Sequence, residues 1–312
     1  MSTPKHVFEG YPDFILARIE HRDRMRRAAV PSYIDNVGVE LVFEDLKLWQ
    51  VGKLKVSFKG GSTALHKKIA EKASEWSQYG NIIFDFGYKA STRTYRKWKP
   101  NDRSHIRVGF EYGGYWSLVG TDSKDPAIAN DGDITLNLNG FDVELPSDWA
   151  GTTLHEFGHA IGFHHEHQSP QTNCDFDWDK LYEYLAQPPN EWSKATVDHN
   201  LRQLPGGGLT YSPHDKTSIM HYSFPAWMFK KGKDSACFTA RNNSLSTMDK
   251  HMMGQAYPIS KTVFETLTAE RVNKLEKLVA SPKLKNTEAK TVFEKQLSFL
   301  KTDKESVKLY SN

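Results

Sequence analysis

The sequence predicts an α+β fold: a mixed sheet with helices packed on it, flanked by an N-terminal extension and a helical C-terminal tail. Three observations predict it. Short runs rich in β-branched and aromatic residues recur between Lys53 and Leu138. One amphipathic helical pattern interrupts them. A second helical pattern, dense in histidine, follows them.

The elements follow in order. "KLKVSF" (Lys53–Phe58) alternates like a strand. "STALHKKIAEKASEWSQYG" (Ser62–Gly80) places Leu65, Ile69, Ala73 and Trp76 at helical spacing, with Gly80 as a stop. "NIIFDFG", "SHIRVGF", "YWSLVG" and "DITLNL" read as short strands. The loop Thr121–Asp133 carries four aspartates. Their spacing fits no EF-hand, so a solvated loop is expected rather than a calcium site. In "PSDWAGTTLHEFGHAIG", Ser147 is the expected N-cap and Asp148 lies in the first turn. Ala150, Leu154, Phe157 and Ile161 form its core stripe. Gly162 is placed to end the helix in a left-handed conformation. Helical pieces around Trp178–Ala186, a glycine run at Gly206–Gly208 and a closing amphipathic helix, "LSTMDKHMMGQAYP" (Leu245–Pro258), complete the central region.

The ends differ in texture. Residues 1–46 read as an extension whose "RIEHRDRMRR" (Arg18–Arg27) is a helix with a solvated charged face. Residues 259–312 are rich in lysine and glutamate and read as a helical hairpin packed on the rest. "KTVFE" occurs twice there, too short a match to define a repeat.

Composition bounds the function. The chain has 312 residues, 38% hydrophobic and 25% charged, which suits a soluble globular protein. A net charge of +3 gives no reason to expect a nucleic-acid partner. No apolar run is long enough for a membrane span, and the first residues lack the apolar core of a secretory signal. A monomer is expected. Two cysteines, Cys174 and Cys237, are too few for a disulfide framework; independent thiols are expected, with pairing left open.

Five of the thirteen histidines fall within "HEFGHAIGFHHEH". His155 and His159 are four residues apart, which on a helix means about 6 Å of rise and about 40° of rotation past one turn. Both imidazoles therefore leave one face and can grip one ion. A straight helix would point His165 away, but a turn at Gly162 swings it back. Three neutral nitrogens and an open position describe a catalytic zinc site; copper, nickel and cobalt also bind such a set. Glu156 sits beside the ion, where a carboxylate can take a proton from the attacking water and pass it to a leaving amine. His164 and His167 are expected to be bystanders at the surface or behind the ligands.

The extended pattern HExxHxxGxxH, with His155, Glu156, His159, Gly162 and His165 in register, resembles the metzincin clan. Glu166 narrows the resemblance to the astacin family of zinc endopeptidases. "SIMHYS" (Ser218–Ser223) looks like that family's Met-turn. The resemblance implies that Met220 floors the metal site and that Tyr222 is a further zinc ligand that swings off to stabilise the oxyanion. It covers residues 47–258 and implies a two-lobed protease domain. A twisted mixed five-stranded sheet would carry two helices over the cleft, above an irregular lower lobe. It further implies a protein or peptide substrate bound along the edge strand Trp116, Ser117, Leu118, Val119 and Gly120. Animal members carry disulfides that two cysteines cannot reproduce, so the texture is nearer bacterial or fungal members.

Family zymogens place an aspartate on the zinc from a Phe-x-Gly-Asp prosegment. Here "FEGYPD" has Tyr11 at the aspartate position and Asp13 two places late. Either Asp13 reaches the metal, or Tyr11 substitutes, or there is no such switch. Glu166 in the family anchors a newly cut N-terminus, and needs another partner if residues 1–46 stay attached. Two functions therefore fit the sequence. One is an active zinc endopeptidase with Glu156 as general base and acid. The other is a latent or non-catalytic zinc-binding protein whose cleft the N-terminal segment covers. Export without a cleaved signal, as for a bacterial effector, is the expected localisation, with the cytoplasm as alternative.

Overall fold

A computed structural model describes residues 9–29, 47–50, 52–188, 190–204, 212–282, 284 and 287–302. The glycine run at 206–208, the stretch 30–46 and the last ten residues lie outside them.

Strands β1 (Lys53–Phe58), β2 (Ile83–Asp85), β3 (Ile106–Gly109), β4 (Tyr115–Ser117) and β5 (Leu136–Leu138) form one sheet in the order β2-β1-β3-β5-β4. All neighbours are parallel except β4, which runs antiparallel to β5 with Trp116 opposite Asn137. Every residue of β3 and β5 is buried, as expected of strands covered on both faces. Helices α2 (Thr63–Ala73) and α3 (Trp149–Ala160) pack together on this sheet, burying Ile69, Trp76, Leu154 and Phe157 in its main core. Ser62 caps α2 by accepting from Leu65 N–H. The helix ends at Ala73, well before Gly80, because its pattern passes into a 3₁₀ turn at Trp76–Gln78. The N-cap of α3 is Asp148 rather than Ser147. A turn from Pro146 to Trp149 N–H sets that boundary, and the Asp148 carboxylate pairs with Arg241 instead of capping.

Helices α4 (Trp178–Leu185) and α5 (Lys194–Leu201) belong to a lower lobe with its own core of Phe176, Leu181, Val197, Phe224 and Met228. Cys174 and Cys237 are joined there by a disulfide, which corrects the expectation of independent thiols. The fold brings their Cα atoms to 5.4 Å, a separation the sequence could not disclose. Helix α6 (Thr247–Ala256) opens with a capping box between Ser246 and Asp249. Helices α7 (Lys261–Ala280) and α8 (Thr287–Thr302) form the expected hairpin, tied by Lys301 to Glu276 at 2.6 Å. Phe264 anchors α7 in the main core.

The N-terminal helix α1 (Asp13–Ala29) corrects two expectations at once. Ile15 and Ile19 insert among Trp116, Leu118, Ile128 and Ile134. The basic face is not solvated: Arg22 and Arg26 are each 1% exposed. Arg22 pairs with Asp122 and, at 3.1 Å, with Asp125, while Arg26 reaches Asp125 at 3.1 Å. Arg18 holds Asp133 at 3.0 Å. Three of the four aspartates in the supposedly solvated loop therefore bind this helix. The Arg26 guanidinium also lies 6.0 Å from the centre of the buried Phe293 ring of α8, so both extensions meet. Arg22→Ala is expected to loosen α1 by about 3 kcal/mol, because it strands buried Asp122. Hydrogen exchange over 13–29 measures this; unchanged protection would refute it.

Candidate metal centre

Helix α3 presents His155 and His159 on one face, with Nε2 atoms 3.1 Å apart. Gly162 then takes φ +102°, a conformation that costs little only for glycine, and a Cβ there would meet Leu48 at 2.8 Å. The chain reverses, and His165 brings its Nε2 to 3.0 Å from that of His159. All three rings are held from behind. His155 Nδ1–H donates to Ile219 O at 2.7 Å, and His159 Nδ1–H to Phe163 O at 2.7 Å. His165 Nδ1–H donates to Gln168 Oε1 at 2.9 Å. These bonds fix the tautomers and leave three Nε2 lone pairs converging, the usual support of metal-binding imidazoles. Burial pulls His159 below its ordinary range and His165 down to about 4, so both favour the neutral, ligating form. Burial also opposes protonation of His155, but direct contact with Glu9 outweighs it.

Gln168 was not singled out from the sequence. Its amide also donates to His199 O and Arg202 O, so it locks His165 to the lower lobe. Its position three residues after a ligand was the available signal. His164 is half-buried. His167 is no surface residue: it is 1% exposed, donates through Nε2 to Asn200 O at 2.9 Å, and packs behind His165 and Tyr222.

The fourth group at the three nitrogens is Glu9. Its carboxylate lies 2.8 Å from His155 Nε2, 3.0 Å from His159 Nε2 and 3.3 Å from His165 Nε2. Burial would raise its pKa, but the three histidines overcome this and hold it well below the usual carboxylate range. Neither Asp13 nor Tyr11 fills this place, which corrects both expectations for the switch. Asp13 begins α1. Tyr11 donates its hydroxyl to Ser117 O at 2.9 Å and rests against Trp116 and His199. Between them Gly10 crosses Trp192 so closely that a Cβ would stand 2.5 Å from the indole. The residue at the variable position of "FEGYPD" thus reaches the site because Tyr11 is committed to the edge strand.

That edge is β4. Trp116 and Ser117 belong to it, whereas Leu118 N–H turns inward to Thr135 O and Gly120 opens a 3₁₀ turn through Lys124. All five residues from Trp116 to Gly120 are buried; Tyr11 and α1 pack on Trp116 and Leu118, and Lys47 lies against Gly120.

Glu156 is 1% exposed and its Oε2 has no hydrogen-bond partner among the described residues. Burial, with the charge of Glu9 adding to it, pushes its carboxyl well above the ordinary range. Met220 packs under α3 at Gly158, where a Cβ would meet its sulfur at 2.4 Å. The turn bearing it is pinned by Asp249, which accepts from Ser218 Oγ at 2.7 Å and Ile219 N–H at 2.8 Å. Tyr222 sits beside His165, ring centres 4.3 Å apart, and its hydroxyl donates to Glu9 O at 3.4 Å. Glu166 accepts from Asp215 N–H at 2.8 Å, and burial raises its carboxyl to about 7. It borders a cavity of about 290 Å³ that extends to Arg271 of α7.

The model of the peptidase family Astacin matches residues 44–270. The chain belongs to the astacin family. Among solved structures, that of myroilysin is 34% identical in sequence. The match covers 68% of this chain and 96% of that one, with a TM-score of 0.58. Meprin A subunit beta of Rattus norvegicus is 25% identical over 237 residues, 73% of this chain and 29% of its own. Nematocyst expressed protein 6 of Nematostella vectensis is 26% identical over 211 residues, 66% of this chain and 58% of its own. The chain therefore spans only part of the length of these two relatives. As an astacin-family chain it combines the mixed sheet and metal-competent histidines with an N-terminal carboxylate seated among them.

Proposed function

We propose that the chain is a zinc-dependent endopeptidase held latent by its own N-terminal segment. The observation that carries this reading is the convergence of three Nε2 atoms on one point, with Glu9 seated there and Glu156 alongside. The donor set suits zinc: three imidazoles with fixed tautomers, one carboxylate and no thiolate. His155, His159 and His165 would hold the ion, with Glu9 as a fourth ligand in the latent form. Zinc held there would supply Lewis-acid chemistry, acidifying the attacking water and polarising the scissile carbonyl.

The chain's own groups do the rest. With the N-terminal segment removed, Trp116 and Ser117 offer a strand edge along which an extended peptide pairs. Glu156 takes the proton of the attacking water and delivers it to the leaving amine. Its unpaired oxygen is free for that exchange. The Tyr222 hydroxyl, released from Glu9 O, donates to the developing oxyanion. Tyr222→Phe in a chain beginning at Lys47 is expected to lower kcat about 100-fold while leaving zinc content unchanged. Unaltered kinetics would remove this role.

A purely non-catalytic zinc protein fits less well, since the buried, unpaired carboxylate oxygen of Glu156 has no structural purpose there. The test is peptide cleavage by the shortened chain, its loss on chelation and its return with zinc. Cleavage that survives complete metal removal would overturn the reading. The disulfide supports export to an oxidising compartment over a cytoplasmic location.

A further inference from the structure

A second histidine pair repeats the geometry of the first. His214 and His221 face each other through Nε2 atoms 3.1 Å apart, the spacing found between His155 and His159. His221 Nδ1–H donates to Tyr222 O at 2.8 Å, as His155 and His159 donate to their own carbonyls. A carbonyl accepts only from an N–H, so His221 must present a bare Nε2 toward His214. Without an ion, His214 supplies the proton between them. The third potential donor is Cys237, whose Sγ lies within 4.8 Å of a ring nitrogen of each histidine. Tetrahedral zinc with bonds of about 2.0–2.1 Å to nitrogen and about 2.3 Å to sulfur needs donors roughly 3.3–3.6 Å apart, so small rotations suffice. His221 is 4% exposed and Cys237 fully buried, while half-buried His214 leaves the site a side open to solvent.

In the structure Cys237 is bonded to Cys174. We infer that Cys237 has two alternative partners: Cys174 under oxidising conditions, and a second zinc ion shared with His214 and His221 once the disulfide is reduced. The exchange balances. A dithiol or phosphine reductant gives two electrons to the Cys174–Cys237 bond, two protons convert both sulfurs to thiols, and the reductant is oxidised. The Cys237 thiol then loses its proton to solvent as zinc binds. Two imidazoles and one thiolate form a set that zinc favours, with water completing four-coordination. Through His221, which lies between Met220 and Tyr222, the second ion would hold the Met-turn. This inference does not depend on the chain being a protease.

The test counts metal in the full chain. After dialysis against buffered zinc, the oxidised protein is expected to hold about one zinc ion per chain, and the phosphine-reduced protein about two. Cys174→Ser frees Cys237 without reductant and is expected to hold about two; adding His214→Ala returns it to about one. His155→Ala identifies the first ion separately, since it should lose that equivalent and keep the reduction-dependent one. With cobalt substituted, thiolate-to-metal absorption should appear on reduction and vanish in Cys237→Ser. Reduced and Cys174→Ser proteins that hold no more zinc than the oxidised protein would overturn the inference. So would a second ion that survives His214→Ala.

Discussion

Full-length protein carrying Glu9→Ala is expected to cleave a fluorogenic peptide about 10- to 100-fold faster than the unaltered chain. The Glu9 carboxylate contacts all three histidine nitrogens, whereas its backbone carbonyl, which alanine retains, still accepts from the Tyr222 hydroxyl. About 1.4 kcal/mol is a factor of ten, so a gain of 10- to 100-fold asks about 1.4–2.8 kcal/mol of the carboxylate's hold on the site. Losing the carboxylate also removes a negative charge that adds to burial in raising the Glu156 carboxyl. That returns Glu156 toward the ionised form a general base requires. The gain should stop short of the rate of a chain beginning at Lys47, because Tyr11 still holds Ser117 and α1 still covers Trp116. Rates equal to the unaltered full-length chain, beside an active shortened one, would move latency from Glu9 to the helix.

In a chain beginning at Lys47, Glu156→Ala should keep its zinc and lose about 10²- to 10⁴-fold in kcat. The side chain touches the site without being one of the converging nitrogens, so metal content and turnover should separate. Metal analysis and single-turnover kinetics on the same preparation decide it. A rate near that of the parent chain would end the assigned role, whereas loss of zinc would recast Glu156 as a support of the ligands.

The metal centre was legible in the sequence because its logic is local. Four-residue spacing placed His155 and His159, and Gly162 followed by His165 announced a turn with a purpose. The sheet was legible because its strands are short, apolar and bounded by turn residues. Glu9 was not, because its role depends on how a distant segment crosses the cleft, and register alone pointed to Tyr11 and Asp13. Arg22 and Arg26 read as solvated because each charge was weighed on its own helix, away from Asp122 and Asp125. The stripe of Arg18, Arg22 and Arg26 at four-residue spacing, with four aspartates downstream, was the missed clue. Cys174 and Cys237 failed for the same reason: proximity in space leaves no trace in a count of two.

The docking of α1 changes what severing the chain would accomplish. A cut between Ala29 and Lys47 breaks a covalent bond but none of the contacts of Ile15, Ile19, Arg22 or Arg26, nor the approach of Arg26 to Phe293. The excised peptide would begin as a tightly held ligand of its own parent. Before the cut its effective concentration is that of a tethered segment; afterwards it is diluted into the surroundings. Activity would therefore appear with a lag set by dissociation and reach a higher level in dilute than in concentrated samples, and the freed peptide added back would act as an inhibitor in trans.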